Sequence, residues 1–372
     1  MQCPHRGGDA VAVIHWRGAH LTSTHRTGAH CGHTPGDVAT REVHDVTASR
    51  SSGRLISYGR REGRGSPRVH PAIVKVPPDA TMEDDGAAYF DAYADMDVHA
   101  LMLRDQPRNR AYREALRGVV AGCTVLDAGA GTGLLSLFAA AAGARHVYAV
   151  EASSLADTLP AVFAANGFAD TVTVLHGRLE EVQLPEKVDV LMSEWMGFHL
   201  LHESMLDSVL HARDAWLKPD GVMLPSHAQV MAAPVNMDGW AAEKFDFWAK
   251  VEGEFDMSAL VPLVAQQALA QPEVTCICAD QMMATPEVVA TLDLHTTTVG
   301  ELSELGQRCR FRAARSGIVH GYALWFACRF QPTAVVLSTG PSDPPTHWKQ
   351  SVVLLPEVRA TDVPRTVARL AL

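Results

Sequence analysis

Apolar residues recur at intervals of three and four through AAYFDAYADMDVHALMLRDQPRNRAYREAL, residues 87–116, which is the spacing of amphipathic helices. The period then shortens. CTVLD (123–127), HVYAV (146–150), TVTVLH (171–176) and VDVLMS (188–193) are short apolar runs that predict buried strands. Between them GLLSLFAAAA and the stretch after Ser153 predict helices, with Pro160 a start or a break. LLHESMLDSVLHARDAWL (200–217) predicts another helix, ended by Lys218-Pro219-Asp220-Gly221. Strand and helix in alternation predict an α/β unit with a parallel, doubly wound sheet. From about residue 222 the rhythm turns to strand-like runs, VVATLDLHT, FRAARSGIVHGYALWFACRF and TAVVLST, which predict a mostly β second domain. WAAEKFDFWAKVEGEF (240–255) sets Trp240, Lys244 and Trp248 at helical spacing, either an exposed arm carrying aromatics or ordinary core. Residues 1–80 sustain no period and are read as a disordered tail rich in Gly, Arg and His. The expected organisation is therefore a tail over 1–80, helices and parallel sheet over 81–222, and a β domain over 223–372 with an arm at about 236–260.

Composition changes this picture little. A chain of 372 residues with 47% hydrophobic and 20% charged content suits two folded domains. The longest nearly uninterrupted apolar run, Leu134 to Ala144, is well short of the roughly 20 residues that cross a bilayer, so no membrane span is expected. No secretory signal is read at the N-terminus, and seven scattered cysteines suit reduced thiols. The expected location is cytoplasm, nucleus or both. Charge is more informative. Residues 1–70 carry a formal +5 out of a net −10, leaving −15 on residues 71–372. The folded part is thus a poor partner for nucleic acid and a good one for cationic proteins.

The first strand ends in Val-Leu-Asp127-Ala-Gly129-Ala-Gly131-Thr-Gly133 and runs into a helix. Glycines there let backbone N–H groups approach a ligand beside a helix N-terminus. The pattern is G-x-G-x-G, with Leu134 where a dinucleotide fingerprint places its third glycine. An aspartate two residues before the first glycine suits a cationic or zwitterionic ligand. S-adenosylmethionine, with its sulfonium and α-amino groups, is one. Glu151 ends the second strand, where its two oxygens can take both hydroxyls of a ribose.

Glu194 and Glu203 bracket a loop, SEWMGFHLLHESM (193–205), that is otherwise almost uncharged. Glu194 closes the fourth strand at its carboxyl end and Glu203 opens the following helix, so both reach one cleft. Two anions together repel, and a planar guanidinium relieves the conflict through its fork of donors. A paired-acid pocket beside a methyl donor points to an arginine acceptor. His199-x-x-His202-Glu203 as metal ligands lacks a defined third ligand, and no metal is expected. A carboxylate pair for glycoside hydrolysis leaves the glycine loop without a purpose. A methyltransferase for small molecules, or a scaffold that binds basic proteins, remains compatible with the residues alone.

In order along the chain, YFDAY, DAGAGTG, AVEAS, SEWMG…HESML and PTHWKQ resemble a type I protein arginine N-methyltransferase over about residues 87–350. That resemblance implies a Rossmann-like domain, a β-barrel domain and a helical arm making a homodimer. It implies basic or Arg/Gly-rich protein substrates, histones among them, and asymmetric dimethylarginine as product. By the same resemblance Tyr89, Phe90 and Tyr93 cover the S-adenosylmethionine, while His99 and Arg108 hold its methionine portion. Asp127, Gly129, Gly131 and Glu151 match the cofactor motif residues, and Glu180 the residue near adenine. Glu194 and Glu203 match the acceptor-binding glutamates, and His347 with Asp105 a His–Asp pair beside them. Met102 and Met205 are expected on either side of the acceptor.

Overall fold

The structure, a computed structural model, describes residues 9–17, 20–27, 96–202, 204–302, 305–306, 308–355 and 369–370. Tyr89, Phe90, Tyr93 and Glu203 lie outside the described residues. Strands β1 (Asp9–Arg17) and β2 (His20–Thr27) form an antiparallel hairpin in register from Ala10 opposite Thr27 to Arg17 opposite His20. β1 also pairs with the strand Arg308–Arg312. Within the tail expected over 1–80 these two strands are regular structure, and the rest of that stretch lies outside the described residues. DAVAVI and LTST carry the β-branched residues that favour strands, a local signal hidden by the Gly- and Arg-rich average around it.

Helices α1 (Met96–Arg104) and α2 (Gln106–Arg117) lead into the parallel sheet. Asp105 separates them and caps α2, its Oδ1 accepting the Arg108 N–H at 3.0 Å, with Pro107 in the first turn where a missing N–H costs nothing. The sheet follows with β3 (Thr124–Ala128), α3 (Leu134–Ala141), β4 (His146–Glu151), α4 (Leu159–Ala165), β5 (Val172–His176), β6 (Val188–Met192), α5 (Leu206–Trp216) and β7 (Leu217–Leu224). Its spatial order is β5-β4-β3-β6-β7, all parallel. The chain steps outward from β3 to β5, then returns to the far side of β3 at β6. Loops leaving β3 and β6 therefore diverge at the switch point of the sheet, the Rossmann-like position for a ligand.

Two expected boundaries move. The helix expected from residue 200 begins at Leu206; residues 197–202 instead turn back on themselves through bridges Gly197–Leu200 and Phe198–His202. Lys218-Pro219-Asp220-Gly221, expected as a stop, lies inside β7. β7 is an edge strand, where a proline without an N–H interrupts no second ladder.

The remaining chain is mostly β, as expected. β8 (His227–Val235), α6 (Asp238–Phe245), α7 (Val261–Ala270), β9 (Glu273–Thr275), β10 (Glu287–Asp293), β11 (Arg308–Arg312), β12 (Gly317–Ile318), β13 (Gly321–Arg329), β14 (Val336–Ser338), β15 (Gln350–Leu354) and β16 (Arg369–Leu370) complete it. The larger sheet runs β10-β8-β13-β15-β9, with β14 paired to β13. For Trp240 and Trp248 the spacing left open an exposed arm or ordinary core. Both are half-buried, Trp240 edge-on to Phe245 with ring centroids 5.7 Å apart, and Phe247 and Phe255 take the exposed positions. One apolar core joins the two sheets: Tyr112 of α2 meets Phe330 after β13 edge-to-face at 5.0 Å. Among the described residues no helix is long and apolar enough to cross a membrane.

Candidate active site

Asp127, Glu151 and Glu194 sit at or near the carboxyl ends of β3, β4 and β6, whereas Asp105 lies between α1 and α2. After β3 the backbone turns through Gly129, Gly131 and Gly133 at φ of +77°, +53° and +79°, a region L side chains rarely adopt. Space is as restrictive as conformation. A methyl at Gly129 would stand 2.7 Å from Cε of Met205, and one at Gly133 would stand 2.8 Å from the Phe163 ring. Gly131 lies under the imidazole of His99, a buried residue of α1.

Glu151, at the end of β4, turns its carboxylate onto this loop. Its Oε2 accepts the Gly131 N–H at 2.7 Å and its Oε1 the Ser153 N–H at 2.8 Å. Asp127 lies beneath, fully buried, with Oδ2 accepting from the Ser136 hydroxyl at 2.6 Å and Oδ1 finding no protein partner. Burial raises its pKa from 3.8 to about 7, and the Glu151 charge adds to the rise against the opposing Ser136 hydrogen bond. A glycine cradle that admits no Cβ, over a buried carboxylate oxygen lacking a donor, fits a ligand bearing positive charge. S-adenosylmethionine meets that description. Glu180 is exposed in the turn after β5, beside the end of β4.

On the other side of the switch point, Ser193 ties the end of β6 to β3 by donating Oγ–H to the Ala128 carbonyl at 2.7 Å, and Glu194 follows. Its Oε2 is held by Arg108 through Nε at 3.0 Å and Nη2 at 2.9 Å, with both side chains less than 10% exposed. Arg108 Nη1 also donates to Asn109 Oδ1 at 2.9 Å. A guanidinium carries five donors, so Arg108 can hold Glu194 and still present N–H to a ligand carboxylate. Tyr112, one turn along α2, donates its hydroxyl to the Ser193 carbonyl at 2.8 Å. Burial, with the Glu194 charge behind it, pushes that phenol well above its ordinary value of 10.0, so it stays a donor.

The loop begun at Glu194 returns at Met205, whose N–H donates to the Trp195 carbonyl at 3.3 Å. The β domain reaches this loop through residues 346–351. His347 Nδ1 lies 2.7 Å from Asp105 Oδ2, which also accepts the His347 backbone N–H at 2.9 Å. Burial alone would raise the Asp105 carboxyl, but the His347 and Arg108 hydrogen bonds outweigh it and hold it below 3.8. Trp348 donates Nε1–H to the Met196 carbonyl at 2.9 Å. Met102 is half-buried on α1, its carbonyl accepting the Asp105 N–H at 3.1 Å.

The structure therefore brings Asp127, Glu151, the glycines, His99 and Met205 to one loop, and gathers Arg108, Glu194, Asp105 and His347 around the start of α2. Ser136, Ser193, Tyr112 and Trp348 support these groups without having been singled out in the sequence. Ser136 had a visible signal: a hydroxyl on the first turn of the helix after the glycines. The others bond across 65 residues or more, a separation at which spacing says nothing.

Known proteins agree with this arrangement. Residues 125–221 match a family described as a methyltransferase domain, and residues 226–369 one described as an arginine methyltransferase oligomerization subdomain. A probable protein arginine N-methyltransferase 6 of Arabidopsis thaliana is 40% identical over 74% of this chain and 72% of its own length. Protein arginine N-methyltransferase 6 of Danio rerio is 42% identical over 74% and 80%. These names accord with the likeness of LLHESMLDSVLHAR and THWKQ to the sixth numbered paralogue. A Trypanosoma brucei PRMT1 enzyme-prozyme heterotetrameric complex with AdoHcy superposes with a TM-score of 0.65 at 36% identity, covering 71% of this chain and 84% of that one. A crystal structure of PRMT6-SAH gives 0.60 at 31%, covering 72% and 90%. With relatives of this identity over this share of both chains, and both family matches falling on the corresponding domains, the chain belongs to the protein arginine N-methyltransferases.

Proposed function

We propose that this methyltransferase carries arginine side chains of basic or Arg/Gly-rich proteins through the monomethyl to the asymmetric dimethyl form, with Glu194 and Glu203 clamping the acceptor guanidinium. The observation that carries the reading is the buried carboxylate of Glu194, which emerges beside the glycine loop and already binds a guanidinium, that of Arg108. S-adenosylmethionine, when bound, supplies an electrophilic methyl group on its sulfonium. Asp127, Glu151, Gly129 and Gly131 would hold it, with His99, Arg108 and Glu180 beside them.

Arg108 fixes one oxygen of Glu194, so the carboxylate is oriented before an acceptor arrives and little reorganisation remains. A substrate guanidinium stays charged at neutral pH, and the carboxylates favour that charge in a pocket cut off from water. Its proton leaves after methylation has begun. Its acceptor is either Glu203 or the His347–Asp105 pair, in which His347 Nδ1 lies 2.7 Å from Asp105 Oδ2 and Nε2 faces away from that bond.

Product type follows from the pocket walls. Met205 lies against Gly129 and Met102 rises from α1, and thioethers that crowd the far Nω direct the second methyl to the nitrogen already modified. Mass spectrometry of an Arg/Gly-rich peptide incubated with labelled donor tests this. Neutral loss of dimethylamine is expected, and Met102→Phe is expected to change the mono- to dimethyl ratio. Symmetric product contradicts the pocket model; labelled metabolite with untouched peptide, or peptide bound but unmodified, contradicts the function.

A homodimer through the arm suits the apolar residues left exposed there, Phe247 at 56% and Phe255 at 57%, in the part that matches the oligomerization subdomain. Light scattering should give twice the chain mass, and Phe247→Asp with Phe255→Asp should halve it. A fully active wild-type monomer would remove the dimer from the account.

A further inference from the structure

The loop from Glu194 to Met205 contains two consecutive non-glycine residues in left-handed backbone conformations, His199 at φ +41° and Leu200 at φ +85°. Each is unfavourable for an L side chain and persists only where its surroundings dictate the backbone. For Leu200 the surroundings are the core, where it is fully buried, and reciprocal backbone hydrogen bonds with Gly197 at 3.0 and 3.1 Å. For His199 they are side-chain contacts. Its imidazole is 7% exposed, its Nδ1 lies 3.0 Å from the Ser351 hydroxyl of β15, and its ring stacks on His202 with centroids 5.5 Å apart and planes 19° from parallel. His202 immediately precedes Glu203 in the chain.

Placement adds meaning to these contacts. Ser351 lies three residues past Trp348, which holds the Met196 carbonyl, and four past His347, which holds Asp105. The loop is thus fastened to the β domain on both sides of Gly197, at Met196 and at His199. Burial, aided by the neighbouring His202, lowers the His199 pKa to about 3, so the ring works as a neutral hydrogen-bonding and stacking group.

We propose that His199 is a positioning residue for the acceptor site: bonded to Ser351 and stacked on His202, it locks to β15 the loop that begins at Glu194. The inference rests on the reading of Glu194 and Glu203 as the acceptor clamp. Packing alone predicts a different result when His199 is replaced. Glycine adopts the left-handed conformation freely, so His199→Gly removes the backbone strain together with the two side-chain contacts. A group kept only for stability would then show its loss in unfolding. A group kept for position would show it in turnover.

The experiment compares the full-length wild type, His199→Gly, His199→Asn, Ser351→Ala and the His199→Gly/Ser351→Ala double variant. It measures kcat and KM for an Arg/Gly-rich peptide, affinity for S-adenosylmethionine by calorimetry, and thermal unfolding. His199→Gly is expected to unfold no earlier than wild type and bind the donor equally well, yet lose roughly ten- to a hundredfold in kcat/KM for the peptide, the scale of a misplacement near 1 Å. His199→Asn, which tolerates this backbone and can bond Ser351, should recover part of the loss. The double variant should be no worse than His199→Gly, since both substitutions break one contact. Wild-type kinetics in His199→Gly, or a loss that only follows lowered stability or donor affinity, overturns the inference. A wild type inactive on every arginine peptide overturns the clamp reading and this inference with it.

Discussion

Glutamine at position 194 is expected to lower turnover at least about a hundredfold while donor affinity changes little. The amide keeps the shape of Glu194 and loses the charge, and removing one preorganised charge-stabilising group typically costs on the order of a hundred- to a thousandfold. The same substitution disturbs Arg108. That guanidinium is buried against Glu194 Oε2, and depriving a buried charge of its partner costs about 3–5 kcal/mol when nothing replaces it. The glutamine carbonyl can still accept from Nε, so the stability loss should be a fraction of that range. Circular dichroism through thermal unfolding separates the two effects, and Glu203→Gln, which leaves the Arg108 pair intact, serves as the companion variant. If both variants turn over near the wild-type rate with a folded spectrum, the paired-acid clamp is wrong.

Asp127→Asn is expected to strengthen the fold and weaken the site. In the folded chain Asp127 holds its proton up to about pH 7, whereas in the unfolded chain it releases it near 3.8. Between those values the folded state binds the extra proton, so stability falls as pH rises and levels off above about 7. The difference corresponds to roughly 4 kcal/mol at pH 8. Asparagine removes that cost but places an NH2 where Oδ1 has no partner, returning about 1–3 kcal/mol. A net gain of about 1–3 kcal/mol at pH 8, a net loss at pH 4, where little ionisation cost is left to remove, and a flatter pH profile are expected from urea unfolding. Calorimetry should show weaker S-adenosylmethionine binding, comparable to the loss of about 1.5–3 kcal/mol expected for Glu151→Ala. An Asp127→Asn protein no more stable at pH 8 than wild type would show that the buried charge carries no penalty. Asp105 contributes with the opposite sign: its lowered pKa supports the fold at neutral pH, and that support is lost as acid protonates it through its folded value.

The parallel sheet and the donor side of the site were legible because they are local. An acid at or just past the end of an apolar run marks the carboxyl end of a strand, which singles out Asp127, Glu151 and Glu194 in one reading, although Asp127 stays fully buried inside β3. Alternating glycines after β3 say that backbone, not side chain, approaches the ligand. The acceptor side was legible only in part. LLHESM has helical spacing, yet the left-handed His199 and Leu200 and the Trp348 bond to Met196 keep it from being a helix. These are tertiary causes that no window of sequence contains. Arg108 with Glu194, 86 residues apart, and His347 with Asp105, 242 apart, are brought together by the fold; the second pair was expected only through family resemblance. The opposite failure occurred at β1 and β2, where a local β signal was averaged into the composition of a longer stretch.

Residues 346–351 fasten three points of the Rossmann-like half at once: Asp105 through His347, Met196 through Trp348 and His199 through Ser351. Translation delivers these attachments long after the glycine loop and Glu194 have left the ribosome. A chain synthesised as far as residue 300 contains the glycine loop and Glu194 but none of the three fasteners. The bonds that hold Asp105, Met196 and His199 to the β domain are therefore completed only once residue 351 has been made.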